Sequence, residues 1–323
     1  MKIRIVSGEL MNNIIDETEV ISRLEECFIK YSRGEVQVPP RTVLWIKGNW
    51  WGVMPAHIDK IGFGLKVVSV IPENIKRGLP TIPGIALIFD EDTGLPLSVM
   101  DGAVLTGIRT AGASAISVKY LKPIDGGDMT IIGAGYQARY HIRFISHVYK
   151  IERVKIYDIN INRSNKLSKF CDSIGIDSIV YDNLMDAQRD SPLVVETSTT
   201  DKPVIYKEPL PLRVHIVSIG AHTIDSRAIE DKVFMSSDLI IVDSREATFN
   251  ETGDIRRPIE EGLLSSEDIL ELGEFLMKKE DIRREDIGIS IYKSVGIAVQ
   301  DACIGKYVFD IAMEKDVGID VEL

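Results

Sequence analysis

The sequence predicts an α/β protein made of two unlike parts, an α+β part followed by a part of alternating strands and helices. Three observations predict it. Short β-rich runs broken by Gly, Pro, Asn and Asp fill residues 42–100. A break marked by Pro123 and Gly126-Gly127 follows. Beyond the break, short and fully apolar strands alternate with helices. The 323 residues suit about two domains at roughly 100–200 residues each, and 45% hydrophobic residues are enough to form a core in both.

Taken in order, residues 17–33 read as an amphipathic helix. Val20, Leu24, Cys27, Phe28 and Tyr31 recur on one face, Asp16 is placed to cap the start, and Gly34 to end it. Residues 42–46, 50–54, 64–71, 85–89 and 96–100 read as strands of an antiparallel, partly exposed sheet, with Glu91-Asp92-Thr93-Gly94 turning between the last two. Asp101 is placed to cap a long helix over 104–121, rich in Ala and other small residues. Past the break, strands are expected at 129–132, 154–157, 193–196, 216–219, 239–242 and 289–291, with helices at 136–148 and 163–174. Continuous apolar strands between helices indicate a parallel sheet covered on both faces. A last helix over 296–312 is expected to return to the first part, and residues 251–279 give mixed signals.

Composition excludes several classes. Against 49 Asp and Glu stand 38 Lys and Arg, a net charge of -11, which argues against a nucleic-acid partner because phosphate contacts need clustered cations. No stretch approaches the ~20 apolar residues that span a bilayer, and the first residues carry no apolar signal core. Cys27, Cys171 and Cys303 are odd in number and far apart, which reads as three thiols in a reducing cytoplasm without a disulfide framework. The five histidines, among them His222, form no metal-ligand pattern, so no metal is expected.

The strand ending Met129-Thr130-Ile131-Ile132 runs into Gly133-Ala134-Gly135-Tyr136-Gln137-Ala138, a GxGxxA loop. In such a loop the first glycine makes the tight turn, the second lets the backbone approach a pyrophosphate, and the small third residue lets the helix pack on the strand. The helix N-terminus then offers free N–H groups to the anion. The next strand ends in Asp158, about 20 residues on, where an acid binds the adenosine ribose hydroxyls. Together these predict a Rossmann dinucleotide-binding domain. Asp158 favours NAD over NADP because a carboxylate repels a 2′-phosphate, and Arg163 nearby leaves NADP open.

Three basic residues of the first part stand in unusual company. Arg41 follows Pro39-Pro40, Lys66 lies within an apolar strand, and Arg109 lies inside a small-residue helix. Charges in such settings need partners when buried, although each taken singly also reads as surface charge.

The chain resembles the ornithine cyclodeaminase/mu-crystallin family of NAD(P)-dependent enzymes, including its archaeal alanine dehydrogenase branch. The resemblance rests on Pro40-Arg41, Met54-Pro55-Ala56, Lys66-Val67-Val68, Pro72-Glu73-Asn74, Gly78-Leu79-Pro80-Thr81, Leu105 to Ala111, Gly133 to Ala138 and Ser294-Val295-Gly296, in that order. It implies a homodimer, with 1–105 plus 303–323 as the substrate-binding and dimerisation domain and 106–302 as the NAD-binding Rossmann domain. It further implies that Arg41 and Arg109 grip a substrate α-carboxylate, that Lys66 moves a proton, and that Thr81 lines the pocket. Thr110, Gly133, Gly135, Tyr136, Gln137, Ala138, Asp158, Thr199, Ser218, Gly220 and Val295 are implied to lie against the dinucleotide. Arginine suits planar carboxylate recognition, and a desolvated lysine beside two arginines suits proton transfer near neutrality.

One departure bears on activity. Cyclodeaminases of the family carry an aspartate shortly after a strand-ending glycine, but here Gly220-Ala221 is followed by His222, with Asp225 three residues further at an expected helix start. His222 suits a general acid/base role and equally a loop position facing solvent or cofactor. The expected activity is therefore an NAD(P)-dependent oxidoreductase that interconverts a small L-amino acid and its imino or keto acid, as alanine dehydrogenases and ketimine reductases do. The alternatives are ornithine cyclodeamination and a non-catalytic dinucleotide-binding role.

Overall fold

The computed structural model describes residues 2–322 and divides into two compact units. Unit 1 comprises residues up to Thr110 together with those from Ile297 on, and unit 2 is Ala111–Gly296. In chain order unit 1 begins with β1 (Lys2–Val6), α1 (Gly8–Ile14), α2 (Glu17–Ser32), β2 (Val36–Gln37) and β3 (Thr42–Ile46). It continues with β4 (Asn49–Ile58), β5 (Gly62–Val70), β6 (Gly84–Phe89), β7 (Pro96–Asp101) and the start of α3 (Gly102–Leu121). Unit 2 holds the parallel strands β8 (Gly126–Ile132), β9 (Lys150–Tyr157), β10 (Ser178–Val180), β11 (Leu193–Glu196), β12 (Val214–Ser218), β13 (Leu239–Val242), β14 (Ile269–Glu271) and β15 (Ile289–Lys293). Between them run α4 (Tyr136–Ile145), α5 (Ile161–Ser173), α6 (Leu184–Gln188), α7 (Asp231–Met235), α8 (Arg245–Glu251), α9 (Gly253–Glu260) and α10 (Leu272–Lys278). The chain closes with α11 (Ala298–Glu314) and β16 (Ile319–Glu322), both in unit 1.

The sheet of unit 1 runs β16-β1-β7-β6-β5-β4-β2, with β3 paired on β4. The hairpins β3–β4, β4–β5, β5–β6 and β6–β7 are antiparallel as the alternation predicts. The sheet is not wholly antiparallel, however, because β1 pairs with β7 in parallel. The pairing of β1 with β16 joins opposite ends of the chain, where buried Arg4 reaches Asp320 and donates to the Val317 carbonyl at 2.9 Å. No local pattern announces such a contact. Helix α2 forms as expected, with Asp16 accepting from the Glu19 N–H at 2.9 Å and Val20, Leu24, Cys27 and Phe28 buried.

The cysteine expectation is corrected. A disulfide joins Cys27 on α2 to Cys303 on α11, leaving Cys171 as the buried free thiol. The two residues lie 276 apart in sequence and meet because α11 packs on α2, a proximity invisible to spacing arguments.

The sheet of unit 2 runs β10-β9-β8-β11-β12-β15-β13-β14, and every pair in it is parallel. Strand β8 begins at Gly126, so the glycine pair expected to break the chain opens a strand instead. From β8 the chain goes first to β9 and β10 on one side, then crosses to β11 and β12 on the other. That reversal is the topological switch point at which open α/β sheets bind ligands beyond their strand C-termini. One face of the sheet packs as a core of Ile132, Val194, Ile216, Ile240 and Ile291 with the helix residues Val233, Phe234 and Ile255. Residues 251–279 supply α9, β14 and α10. Asp225 lies in a turn closed by Ser226 N–H on the Thr223 carbonyl at 3.0 Å, not at a helix start. Among the described residues no helix is long and apolar enough to cross a membrane.

Candidate active site

In unit 1 the chemistry gathers around Lys66. It sits in mid-β5 between the cross-strand neighbours Met54 and Ala86, both buried. Gly64, two residues earlier, faces the same side, and a Cβ there would lie 2.7 Å from the Ala302 Cα. The missing side chain lets α11 press onto the strand. Asp301, the residue before Ala302, thereby reaches Lys66, with Oδ1 2.8 Å from Nζ. Lys66 also donates to the Thr106 hydroxyl at 3.2 Å, one turn before Arg109 on α3. Asp101 caps that helix by accepting from the Ala103 and Val104 N–H groups at 2.8 and 3.0 Å.

Arg109 closes the cluster. Its Nε donates to Asp301 Oδ1 at 3.2 Å and its Nη1 to Gln300 Oε1 at 2.7 Å. Lys66 is 1% exposed, Arg109 5% and Asp301 3%, so neither cation is the surface charge that each could have been. Burial pulls the Lys66 pKa down from 10.5 to about 7. Asp301 opposes the fall, while Arg109 and then Arg41 push the same way. A lysine so placed holds and releases its proton near neutrality. Asp301 Oδ2 and Gln300 Nε2 are buried without a hydrogen-bond partner among the described residues. Unsatisfied groups of this kind can form a hydrogen bond with water, an ion or a bound molecule.

The structure thus brings Lys66, Arg109 and the charge of Arg41 together. Thr81 is exposed, and its carbonyl accepts from the Ile71 N–H at 2.8 Å. Thr110 follows Arg109 on α3 and is buried. Sequence reasoning missed Asp301, Gln300 and Thr106. The available signal was an acid and an amide inside the apolar run Ala298–Ile304, where unpaired polar groups are costly.

In unit 2 the loop after β8 has the shape a dinucleotide requires. Gly133 takes φ +94°, and a Cβ on it would meet Ser198 at 2.7 Å. At Gly135 a Cβ would meet nothing within 4 Å, so the space beside it is open. Gly135 caps α4 without a side-chain hydrogen bond, and a helix N-terminus of this kind suits an anion. Ala138 is fully buried under the sheet. Asp158, at the end of β9, accepts from the Ala134 N–H at 2.8 Å and the Asn160 N–H at 2.7 Å, and its half-exposed carboxylate has further lone pairs for hydroxyl donors. These residues fit a dinucleotide.

The other expected contacts divide by burial. Tyr136 and Thr199 are exposed, Gln137 holds the buried His141 ring through its carbonyl at 2.9 Å, and Val295 N–H donates to Asp243 at 3.1 Å. Ser218 is buried and gives its hydroxyl to Glu196 at 2.9 Å, and the Gly220 N–H donates to the same carboxylate at 3.1 Å. His222 is exposed, with Nδ1–H donating to the Gly220 carbonyl at 2.8 Å.

Known proteins match this chain over nearly its whole length. Residues 6–316 match the model of the ornithine cyclodeaminase/mu-crystallin family. A Δ1-pyrroline-2-carboxylate reductase of Bacillus cereus is 31% identical over 323 residues, covering 98% of this chain and 99% of the relative. The structure of Thermococcus litoralis Δ1-pyrroline-2-carboxylate reductase, in complex with NADH and L-proline, superposes with a TM-score of 0.94 at 32% identity and covers 99% of this chain and 100% of that one. An archaeal alanine dehydrogenase dimer with bound NAD superposes with a TM-score of 0.92 at 30% identity, covering both chains fully at 100%. On these matches the chain belongs to the ornithine cyclodeaminase/mu-crystallin family.

Proposed function

We propose that this protein is an NAD-dependent oxidoreductase that interconverts a small L-amino acid and its imino or keto acid, with a cyclic ketimine carboxylate such as Δ1-pyrroline-2-carboxylate as the leading substrate. The observation that carries this reading is the buried cluster in which Lys66, with a pKa near 7, meets Asp301 and Arg109. NADH, when bound, supplies the hydride that the imine carbon accepts. The glycine loop would hold its pyrophosphate at the α4 N-terminus, and Asp158 its adenosine ribose. Thr110, Tyr136, Gln137, Thr199, Ser218, Gly220 and Val295 stand as further proposed contacts.

The rest of the work falls to side chains of unit 1. Arg109, through an Nη2 with no hydrogen-bond partner among the described residues, and Arg41 fix the substrate carboxylate. Protonated Lys66 delivers a proton to the imine nitrogen, and Asp301 Oδ2 accepts the N–H so formed. In the reverse direction neutral Lys66 takes the proton back. Thr81 is proposed as a wall of the same pocket. The positions after Gly220 support this reading over cyclodeamination, because His222 stands where that reaction would use a carboxylate and Asp225 is exposed in its turn.

Strand β3 supports a homodimer formed through unit 1. Among the described residues it pairs only with β4, and Val43, Leu44, Trp45 and Ile46 are all exposed, Trp45 at 68%. Contiguous apolar surface of this kind marks an interaction site. A cytoplasmic setting rests on the cellular pool of NAD alone, since the cysteine argument for it has fallen.

The test is an assay of the purified protein with NADH and Δ1-pyrroline-2-carboxylate, and with pyruvate plus ammonia. NAD with ornithine is run beside them, following ammonia and proline. Stoichiometric loss of NADH with an imine or keto acid supports the proposal. Proline and ammonia from ornithine without net NADH would replace it with cyclodeamination. Dinucleotide binding with no turnover on any of these would replace it with a binding role.

A further inference from the structure

Beneath the loops of unit 2 lies a buried network whose charged members the proposed reaction does not use. Glu196 ends β11 and is fully buried, as are Ser218 at the end of β12, Lys293 at the end of β15 and Asp254 on α9. Four donors converge on Glu196. The Ser198 N–H and hydroxyl reach Oε1 at 2.7 and 2.6 Å, and the Ser218 hydroxyl and Gly220 N–H reach Oε2 at 2.9 and 3.1 Å. Lys293 donates to the Ser218 oxygen at 3.2 Å, so the Ser218 proton is committed to Glu196. Lys293 pairs with Asp254 at 3.0 Å, whose other oxygen accepts the Ala228 and Ile229 N–H groups at 2.8 and 3.0 Å.

The arithmetic of charge is simple. Lys293 and Asp254 cancel, and Glu196 is left over. Burial pushes its carboxyl pKa up, opposed by Lys293 and by the Ser198 and Ser218 hydroxyls. The bonding geometry nevertheless suits the carboxylate, since the Ser198 and Gly220 N–H groups can only donate and the Ser218 oxygen already accepts from Lys293. The nearby carboxylate of Asp243 is held separately, by the Ser294 hydroxyl at 2.7 Å and the Val295 N–H at 3.1 Å.

The position of this charge gives it a role. Asp158 directly follows β9, on one side of the switch point, and would take the adenosine end of a dinucleotide whose pyrophosphate would sit at Gly133–Ala138. The nicotinamide end therefore extends to the other side, over the C-termini of β11 and β12, where the Glu196 donors Ser198 and Gly220 form the loops. The Thr197 hydroxyl donates to the Gly133 carbonyl at 2.7 Å, so the loop after β11 that Glu196 holds, and which Glu196 joins to the loop after β12, is also tied to the glycine turn. We infer that Glu196 places a fixed negative charge beside the nicotinamide subsite and thereby favours the cationic ring of NAD⁺ over the neutral ring of NADH. The inference rests on the proposed binding of this dinucleotide. It makes Glu196 a positioning and selectivity residue that biases the bound couple toward its oxidised form.

The test is equilibrium binding, read separately for NAD⁺ by calorimetry and for NADH by its fluorescence. Glu196→Gln should raise the Kd for NAD⁺ about tenfold, roughly 1.4 kcal/mol, and leave the Kd for NADH within about twofold. Glu196→Asp keeps the charge, so the ratio of the two constants should stay near that of the unmutated protein even if both rise. Loss of loop packing alone would weaken both ligands together in both variants, and that result overturns the inference. Should neither variant fold, the unmutated protein decides. It should bind NAD⁺ at least as tightly as NADH, and markedly tighter NADH binding refutes the charge bias. If the unmutated protein binds neither dinucleotide, the cofactor reading itself fails, a result distinct from an unchanged ratio.

Discussion

Replacing Asp301 by Asn removes one charge from the buried cluster while nearly preserving its shape. In the native protein the carboxylate lies 2.8 Å from Lys66 Nζ and 3.2 Å from Arg109 Nε. At an effective dielectric of about 20, two unit charges 2.8 Å apart interact by about 6 kcal/mol, equivalent to roughly 4 pH units of Lys66 pKa. That is a ceiling, because Asn still accepts a hydrogen bond and water or Arg109 compensates in part. A fall of at least about 1 unit from the native value near 7 is expected, since Arg109 and Arg41 then act on Lys66 unopposed. The assay is the pH profile of kcat/KM for NADH-dependent imine reduction and for the reverse oxidation. Reduction needs protonated Lys66 and should fall as pH rises through about 7. Oxidation needs neutral Lys66 and should rise over the same range. In Asp301→Asn both limbs should move together to pH 6 or below. General damage lowers both plateaus without moving the limbs. Thermal melting of the variant shows whether it folds, and Lys66 can shed its proton to avoid standing as an unpaired buried charge. Limbs that stay within about 0.3 unit, or that move upward, would refute the assignment of Lys66 as the titrating group.

Four further outcomes are expected. Arg109→Ala should lower kcat/KM by about 10²–10³, as loss of a buried charged hydrogen-bonding partner does, and leave the NAD Kd within about threefold; retained turnover would remove the carboxylate clamp. Asp158→Ser should weaken NAD about tenfold and improve NADP relative to it, checked by paired binding titrations. Trp45→Glu should convert a dimer to a monomer by light scattering without lowering the melting temperature of the monomer, and a dimer that persists would move the interface off β3. His141 and His215 are buried neutral, with folded pKa values near 4 and 3 against the ordinary 6.5. The unfolded chain binds more protons in that window, so stability should fall as pH drops from 6.5 toward 4, by about 3 kcal/mol from His141 alone. Flat denaturation midpoints from pH 6.5 to 4.5 would contradict it.

The hydrogen bonding explains why those two histidines are neutral. His141 Nδ1–H donates to the Gln137 carbonyl at 2.9 Å, which leaves Nε2 to accept the Ser114 hydroxyl at 2.9 Å. Ser117 gives its proton to the Ser114 carbonyl, so His215 Nε2–H donates to the Ser117 oxygen at 3.0 Å and Nδ1 accepts from Ser290 at 2.8 Å. Each ring has one donor and one acceptor partner, and a second ring proton would face a donor.

What the sequence by itself determined is what local pattern encodes. The apolar strands after residue 126, the GxGxxA turn and the acid at the end of the second strand specify a dinucleotide fold, because each is set within one βαβ unit. The helix face of α2 and its Asp16 cap are legible for the same reason, and so is the hairpin turn before Pro96. The tertiary structure alone decided the rest. Lys66 and Arg109 are read from sequence as charges in apolar company, yet only the approach of α11 over Gly64 brings them into one buried cluster. The residue that does so, Asp301, is 235 positions from Lys66. The Cys27–Cys303 bond, the β1–β16 pairing and the Glu196–Lys293 network likewise join segments distant in the chain. Periodicity and caps report only neighbours within a few turns. Burial and the partner of a charge are properties of packing, and packing is settled between elements rather than within them.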